Sequence, residues 1–268
     1  MFEECVKHIF ILLPIIESKS IALSIGSLIG GFIGAISLNL VMWLNLVPQI
    51  FFILTTFCFV EPKYQKPDSN NIYIHMKYSA LKALRNKRLF ILIIISAIFF
   101  GIGETIHIVS PAWYQLNIPI QQIGITFTII YILSALGSLY SNYISNNFGD
   151  KITLLYSTGY SVFITFIATF IVGPLAVALA ASTSFFYGLR EPILGDLTNK
   201  LIGSSERATV KSLGAFIQQI LYGIYAPILG ILSDCFEIIK AIQISVILLS
   251  INILLIILYF KFSRQQKT

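Results

Sequence analysis

Charged residues are scarce in this sequence. They make up 11% of the 268 residues, whereas 56% are hydrophobic, and soluble domains average about 25% charged residues. A water-soluble fold of this length could not cover so much apolar surface with so few polar groups. The shortage of charge therefore excludes a soluble protein and indicates a chain embedded in a lipid bilayer.

Cysteine is also scarce, and the common short catalytic motifs are missing. Cys5, Cys58 and Cys235 are odd in number and far apart, so they form neither a disulfide framework nor metal-binding pairs. The sequence contains no phosphate-binding glycine loop, no His-Glu-x-x-His and no Gly-x-Ser-x-Gly. We therefore expect no enzyme, no catalytic residue, no cofactor and no metal site. Any work that the protein does must draw on an ion gradient rather than on nucleotide hydrolysis.

Long apolar runs dominate what is present. A spanning helix needs about 20 mostly apolar residues, because each residue rises about 1.5 Å across a hydrocarbon core of about 30 Å. By this length criterion the sequence predicts an all-α, polytopic transmembrane helical bundle of about eight spans. The predicted spans are Ser20–Leu38, Leu40–Val60, Leu89–Val109, Ile123–Ile144, Ile152–Val172, Leu175–Ile193, Thr209–Leu232 and Ala241–Phe260.

The cations predict the orientation of these spans. Residues 61–88 form the longest stretch without an apolar run, and they carry seven lysines and arginines, which keep a connection on the cytoplasmic side. Placing this segment inside also places the other basic connections and the tail inside: Lys151, Lys200, Arg207, Lys211, Lys261, Arg264 and Lys267. We therefore expect a protein of the cytoplasmic (inner) membrane with both termini cytoplasmic. The net charge of +6 reflects these loops and not nucleic-acid binding.

The basic segment also divides the chain. We expect residues 1–60 to be a two-span remnant of an N-terminal bundle, residues 61–88 a cytoplasmic linker, and residues 89–268 a six-helix C-terminal bundle. Within the linker, Ile74, Tyr78 and Leu81 recur at i, i+4 and i+7, which predicts a surface helix against anionic headgroups. An ordinary solvated linker is the alternative.

A family resemblance rests on three motifs in the second half of the chain. They are Gly188-Leu-Arg190-Glu191-Pro192, Glu206-Arg207-Ala208-Thr209 and Tyr225-Ala-Pro227-Ile-Leu-Gly230-Ile-Leu-Ser-Asp234. These motifs resemble the helix 10–helix 11 connection and the end of helix 11 in bacterial sugar or drug efflux permeases of the major facilitator superfamily. The likeness extends more weakly from about Glu17 to the C-terminus, which implies helices 5–12 of a twelve-helix permease shortened at its N-terminus.

The resemblance implies a secondary transporter that moves a small-molecule substrate by alternating access, as in ion-gradient-driven solute or drug efflux. A shortened form would lack most of one wall of the central cavity, so we expect it to dimerise or to pair with a missing N-terminal half. One motif departs from the family pattern. Asn146-Asn147-Phe148-Gly149-Asp150-Lys151 keeps the glycine and the final lysine but replaces the acidic and basic pair with asparagine.

Two groups of residues are candidates for the transport path. Glu104 is the acidic residue well inside a predicted span, and His107 follows at i+3 on the same face. A charge at the bilayer centre costs about 2.5–3.5 kcal/mol, so an intramembrane acid is a functional candidate by default. Beside a histidine it can take up and release protons, whereas a position near the outer end would make it an interfacial anchor.

The second group lies in the helix that resembles helix 11. Gln218, Gln219 and Tyr222 precede Pro227, which frees backbone groups toward a cavity. These side chains are candidates for lining the substrate path, and ordinary interhelical hydrogen bonding is the alternative.

Charged residues are predicted at the cytoplasmic ends of adjacent helices. Arg190, Glu191, Asp196 and Arg207 are candidates for a cytoplasmic gate whose ion pairs break and reform as the mouth opens. Static surface ion pairs are the alternative.

A glycine face is predicted near the N-terminus. Gly26, Gly30 and Gly34 recur at i, i+4 and i+8, and such a face lets a neighbouring helix backbone approach closely. A non-transporting membrane scaffold that binds partner helices through this face is the second functional hypothesis.

Overall fold

A computed structural model describes residues 22–34, 36–58, 81, 83–203 and 206–265. These residues are almost entirely helical and contain no strand. The helices, numbered in chain order, are α1 Ala22–Gly34, α2 Leu38–Leu44, α3 Leu46–Thr56, α4 Lys87–Gln115, α5 Ile120–Phe148, α6 Asp150–Ala168, α7 Pro174–Asn199, α8 Arg207–Phe236, α9 Ile238–Leu249 and α10 Ile251–Gln265. Cys5 and most of the predicted linker helix lie outside the described residues.

Six helical stretches of the described chain are long and apolar enough to cross a membrane. They are Asn39–Thr56, Lys87–Gln115, Ile120–Phe148, Asp150–Ala168, Arg207–Phe236 and Ile238–Ser263. The predicted all-α transmembrane bundle is therefore confirmed. The count of about eight spans is reached only with α1, which is too short to span alone, and α7, which has 26 residues but carries charges in its second half.

The helices from α4 to α10 pack around four apolar clusters, and the two that include α8 contain Val210 and Leu229. The other two lie at opposite ends of the bundle. One cluster includes Trp113, Ile130 and Val177, where α4 ends and α7 begins. The other includes Leu92 and Leu189, where α4 begins and α7 approaches its end. We call this second end of the bundle the basic end, because it carries these side chains: Lys87, Lys151, Lys200, Arg207 and Lys261.

An arginine joins the first and last helices at the basic end. Nη2 of Arg88 donates a hydrogen bond to Oγ of Ser263 over 3.0 Å, and its guanidinium carbon lies 5.8 Å from the ring centroid of Tyr259. Because Arg88 is in the first turn of α4 and Ser263 is near the end of α10, these contacts close the bundle.

The closest backbone contact lies between α5 and α7. A Cβ built on Gly137 would overlap the carbonyl oxygen of Phe185, and one built on Gly188 would overlap the carbonyl oxygen of Ser134. Only glycine allows two helix backbones to approach so closely. This contact fixes α7, whose second half faces α4 and α8.

Two glycines with positive φ make the connections around α6. Gly149 has φ 82° and joins α5 to α6, within the motif that departs from the family pattern. There the hydroxyl of Ser145 donates to the carboxylate of Asp150. Gly173 has φ 93° and precedes Pro174 at the start of α7, where proline is tolerated because its missing N–H has no helical partner. The N–H of Gly173 donates to Oδ1 of Asn117 over 2.8 Å.

Two predicted spans are each interrupted by a short break. The span predicted at Leu40–Val60 is broken at Asn45, because Pro48 has no N–H for the preceding turn and its ring crowds the carbonyl four residues earlier. The span predicted at Ala241–Phe260 is broken at Ser250. The Ser250 hydroxyl donates to the carbonyl of Ile247 over 2.6 Å, and such side-chain bonds compete with the helical backbone.

The glycine of α1 that contacts another helix of this chain is Gly31, one residue beyond the predicted Gly30. Among the described residues nothing lies within 4 Å of a Cβ built on Gly26 or Gly30, whereas one built on Gly31 would lie 2.5 Å from Cα of Gly124 in α5. The helix turns by about 100° per residue, so Gly31 points α1 toward α5 and leaves Gly26 and Gly30 open.

Candidate functional site

A cavity of about 330 Å³ lies in the basic half of the bundle, between α4, α7 and α8. Phe99 and Phe100 of α4 contribute aromatic walls. Its polar lining comes from six side chains besides Ser96: Tyr187, Arg190, Glu191, Thr198, Lys211 and Gln218. A concave, largely apolar site with a few convergent polar groups is the usual form of a small-molecule site.

Arg190 is the most deeply buried charged residue of this lining, with 6% of its surface exposed. Its Nη1 donates to the carbonyl oxygen of Ser157 and to Oγ of Ser161, each over 2.9 Å. Its guanidinium carbon lies 4.5 Å from the ring centroid of Phe99, close enough for a cation–π contact. Arg190 is therefore held between α6 and α4 by neutral groups.

Glu104 and His107 form a second polar group, farther from the basic end along α4. Glu104 lies about 26 Å from Lys87 and about 17 Å from Gln115 along the helix, so it is near the middle of this 29-residue element and is half-buried. Nε2 of His107 lies 3.2 Å from the hydroxyl oxygen of Tyr131 in α5, and the ring of Phe127 packs edge-on against the imidazole at 5.1 Å.

Tyr187 of α7 lines the same cavity as Arg190, three residues away along the helix. Among the described residues, no hydrogen bond or ion pair joins Glu104 to Tyr187 or to Arg190.

The three predicted side chains of α8 are divided by the structure. Gln218 lines the cavity. Tyr222 packs edge-on against Phe100 with ring centroids 6.4 Å apart, so it supports a cavity wall. Gln219 is exposed and does not line the cavity. α8 continues through Pro227 to Phe236.

The four predicted gate residues are not joined to one another by ion pairs in the described part of the chain. Arg190 is in the interior, as described above, whereas Glu191 and Arg207 are exposed. Asp196 forms an ion pair with Lys200, with Nζ and Oδ2 2.5 Å apart, one turn along α7. The hydrogen bond to Asp196 raises the pKa of Lys200.

A comparison with protein-family models finds one match. Residues 18–224 match the model of the Major Facilitator Superfamily, which is well over half of the chain. The chain belongs to the Major Facilitator Superfamily. None of the curated proteins matches the chain. The resemblance to this superfamily is therefore confirmed; Gly188–Pro192 and Glu206–Thr209 lie within the matched residues, and the Tyr225–Asp234 motif lies beyond them.

Membership of the Major Facilitator Superfamily makes the chain a membrane transporter, which acts in a lipid bilayer on small-molecule substrates. It supports a transporter over an enzyme. Sequence reasoning missed several groups that shape the site, namely the main-chain carbonyl of Ser157 and four side chains: Phe99, Tyr131, Ser161 and Lys211. Ser157 and Ser161 recur at i and i+4, but serines in membrane helices usually bond their own backbone. Their contact with Arg190 is a tertiary feature that one sequence does not display.

Proposed function

We propose that this superfamily member is a secondary active transporter that exports a small solute by alternating access and is driven by a proton gradient. The proposal rests on Glu104, a half-buried acid near the middle of a membrane-spanning helix. Such residues are rare within membrane helices and mark ion or substrate pathways. Export and location in the inner membrane, with cytoplasmic termini, are part of the proposal through the resemblance and the distribution of cations.

Glu104 and His107 supply the proton-coupling group of this proposal. The acid can bind a proton from one side and release it to the other as the access changes, while His107, three residues along the same helix, and its neighbour Tyr131 provide further hydrogen-bonding groups. Gln218 lines the cavity of the substrate path, and Tyr222 supports its wall. Gln219 is outside the path in this conformation and would line it only in another conformation of the transporter.

The cytoplasmic gate of this proposal is formed by Glu191, Asp196 and Arg207 at the basic end. Their exposure allows ion pairs to exchange as the helices move. Arg190 would have to leave Ser157 and Ser161 to join them. We also propose that transport requires a second copy of the chain or a separate N-terminal half, because α1–α3 cover little of the described bundle.

The test is proton uptake by inverted membrane vesicles from cells that express the chain. A panel of neutral, cationic and anionic solutes is added, and a pH-sensitive dye reports proton movement. We expect at least one solute to give a signal that Glu104→Gln abolishes, because glutamine keeps the shape of the side chain but cannot carry the proton. The matched control is Glu237→Gln, which removes an exposed acid at the α8–α9 turn and should leave the signal unchanged. Full proton movement in the Glu104→Gln protein would overturn the coupling role.

A membrane scaffold is the second candidate function, and two observations favour it. Gly26 and Gly30 present an open face, and α3 has no buried residue. If the chain only packs against partner helices, Glu104→Gln will leave its partners bound, whereas Gly26→Leu combined with Gly30→Leu will release them.

A further inference from the structure

The environment of Arg190 is unusual for a buried cation. Both hydrogen-bond partners of its guanidinium among the described residues, the Ser157 carbonyl and the Ser161 hydroxyl, are neutral, and no carboxylate there forms an ion pair with it. Buried charges are normally paired, because leaving one uncompensated is costly. An arginine at the centre of a membrane helix costs about 2.5–3.5 kcal/mol on insertion scales and is usually kept for function.

Part of the Arg190 guanidinium makes no hydrogen bond with the described residues. Arginine has five N–H donors in a planar fork, and only Nη1 makes hydrogen bonds with the described residues. Nε and Nη2 make none there, and neither is among the fully enclosed polar atoms that lack a partner. These two nitrogens are therefore not fully enclosed, and they form the edge of the fork that binds a carboxylate or a phosphate with two parallel hydrogen bonds.

The cavity beside Arg190 has the charge and the size for such a ligand. Lys211 adds a second cation from α8, and Glu191 is the one acid of the lining, so the lining carries a formal charge of one positive unit. Gln218 and Tyr187 add neutral donors. A volume of about 330 Å³ is at the small end of the range for ligand pockets and suits a small organic acid.

We propose that this cavity binds the transported solute through an anionic group, a carboxylate or a phosphate, held by Nε and Nη2 of Arg190 and assisted by Lys211. The substrate class is a small organic anion. This inference rests on the proposed transport function, because it names the solute of the same site. Phe99 holds the guanidinium plane from one side, and Ser157 and Ser161 hold its far edge, so the fork is already oriented before the anion arrives.

The test uses three probes that share a ring and differ in charge: benzoate, benzamide and benzamidine. Phenyl phosphate and phosphatidylglycerol, added as mixed micelles with the detergent, complete the set, since a phosphate group can belong to a soluble solute or to a lipid. Binding to the purified full-length chain is measured in a neutral detergent by the shift in melting temperature over a range of probe concentrations. We expect benzoate or phenyl phosphate to stabilise the protein, and benzamide and benzamidine to have no effect.

Variants separate the site from general charge effects. Arg190→Gln should weaken benzoate or phenyl phosphate binding at least tenfold, and Arg190→Lys should restore only part of it, because lysine keeps the charge but lacks the fork. Lys211→Gln leaves Arg190 and its partners intact, so it reports on the site even if Arg190→Gln fails to fold, and it should weaken binding several-fold. Lys240→Gln, an equal loss of charge at the opposite end of the bundle, is the control and should bind like the parent.

The proposal is overturned if benzamide or benzamidine binds as tightly as benzoate, if Lys211→Gln and Lys240→Gln bind equally, or if only phosphatidylglycerol stabilises the protein. Binding is measured without an ion gradient, so the anion-site proposal can fail or succeed independently of the proton-coupling proposal. Anion binding without proton movement would support the anion site and overturn the proton coupling. Proton movement with neutral solutes alone would support the proton coupling and overturn the anion site.

Discussion

The N-terminal helices and the C-terminal bundle differ in how much of their apolar surface is used. None of the residues in the membrane-capable stretch Asn39–Thr56 is buried inside the protein, whereas 44% are buried in the most apolar window of Lys87–Gln115. Both stretches are apolar enough to enter a membrane. Hydropathy therefore decides which segments insert, but it does not decide which of them pack, because lipid tails satisfy an apolar side chain as well as a neighbouring helix does.

Small residues and polar pairs between helices distinguish the C-terminal bundle from α3. Gly137 and Gly188 bring α5 and α7 into backbone contact. Hydrogen bonds such as those between Tyr160 and Ser182, and between Gln243 and Thr169, cross from helix to helix. These are the features that drive association in lipid. α3 has no buried residue to offer a comparable contact.

The largest expected effect comes from filling the backbone contact of the bundle. Gly137→Leu would push a side chain into the Phe185 carbonyl, which is part of a helix and cannot move aside. We expect a loss of about 3 kcal/mol or more of stability, at the upper end for overpacked sites. The melting temperature of the detergent-solubilised protein, followed by the monodisperse fraction after heating, measures it.

Gly26→Leu is the matched change in the N-terminal region. Because nothing lies within 4 Å of a Cβ at Gly26, this variant should melt within error of the parent. If both leucine variants melt alike, small residues are not what separates the two regions, and the comparison fails.

A smaller effect is expected from a polar pair within the bundle. The hydroxyl of Tyr225 donates to Oγ of Ser245 over 2.8 Å, joining α8 to α9, and Ser245 also donates to the carbonyl of Ala241. Tyr225→Phe should reduce stability by about 0.6 kcal/mol, the average for such bonds in a membrane protein. Tyr143→Phe is the control because its side chain is 69% exposed. A larger loss in the control than in Tyr225→Phe would remove polar pairs from the explanation.

Much of this fold follows from local features of the sequence. Apolar length predicts the helices, and glycine at 149 and 173 together with Pro174 marks where three of them end or begin. Pro48 and Ser250 are visible in the sequence, but they do not by themselves predict the breaks at Asn45 and Ser250. Prolines at 111, 192 and 227, for example, leave their helices continuous. Whether a proline interrupts a helix depends on the packing around it, which local sequence does not contain.

The candidate site divides in the same way. Glu104 and His107 could be found from the sequence, because an acid in an apolar run is conspicuous and i+3 spacing places both on one face. Arg190 was found but was assigned to a surface gate, since its neighbours in sequence are charged. Its interior position depends on contacts with Ser157 and Ser161, more than 25 residues away, and a single sequence gives no signal for contacts of that range.

The smallest effect on the bundle is expected where α1 meets it. α1 touches α5 through Gly31 against Gly124 and through the hydroxyl of Thr128, which donates to the carbonyl of Ser24 over 3.1 Å. Gly31→Leu cannot fit against the Gly124 backbone, so α1 should move away from α5. Cysteines placed at Ser24 and Thr128, in a chain without native cysteines, should cross-link under mild oxidation only while Gly31 is present.

The melting temperature of the Gly31→Leu protein should fall by less than that of Gly137→Leu, because the interior of α4–α10 does not depend on this contact. A Gly31→Leu protein that melts as early as Gly137→Leu would mean that the N-terminal helices are an integral part of the bundle, and the distinction between the two regions would then lie in exposure and not in stability.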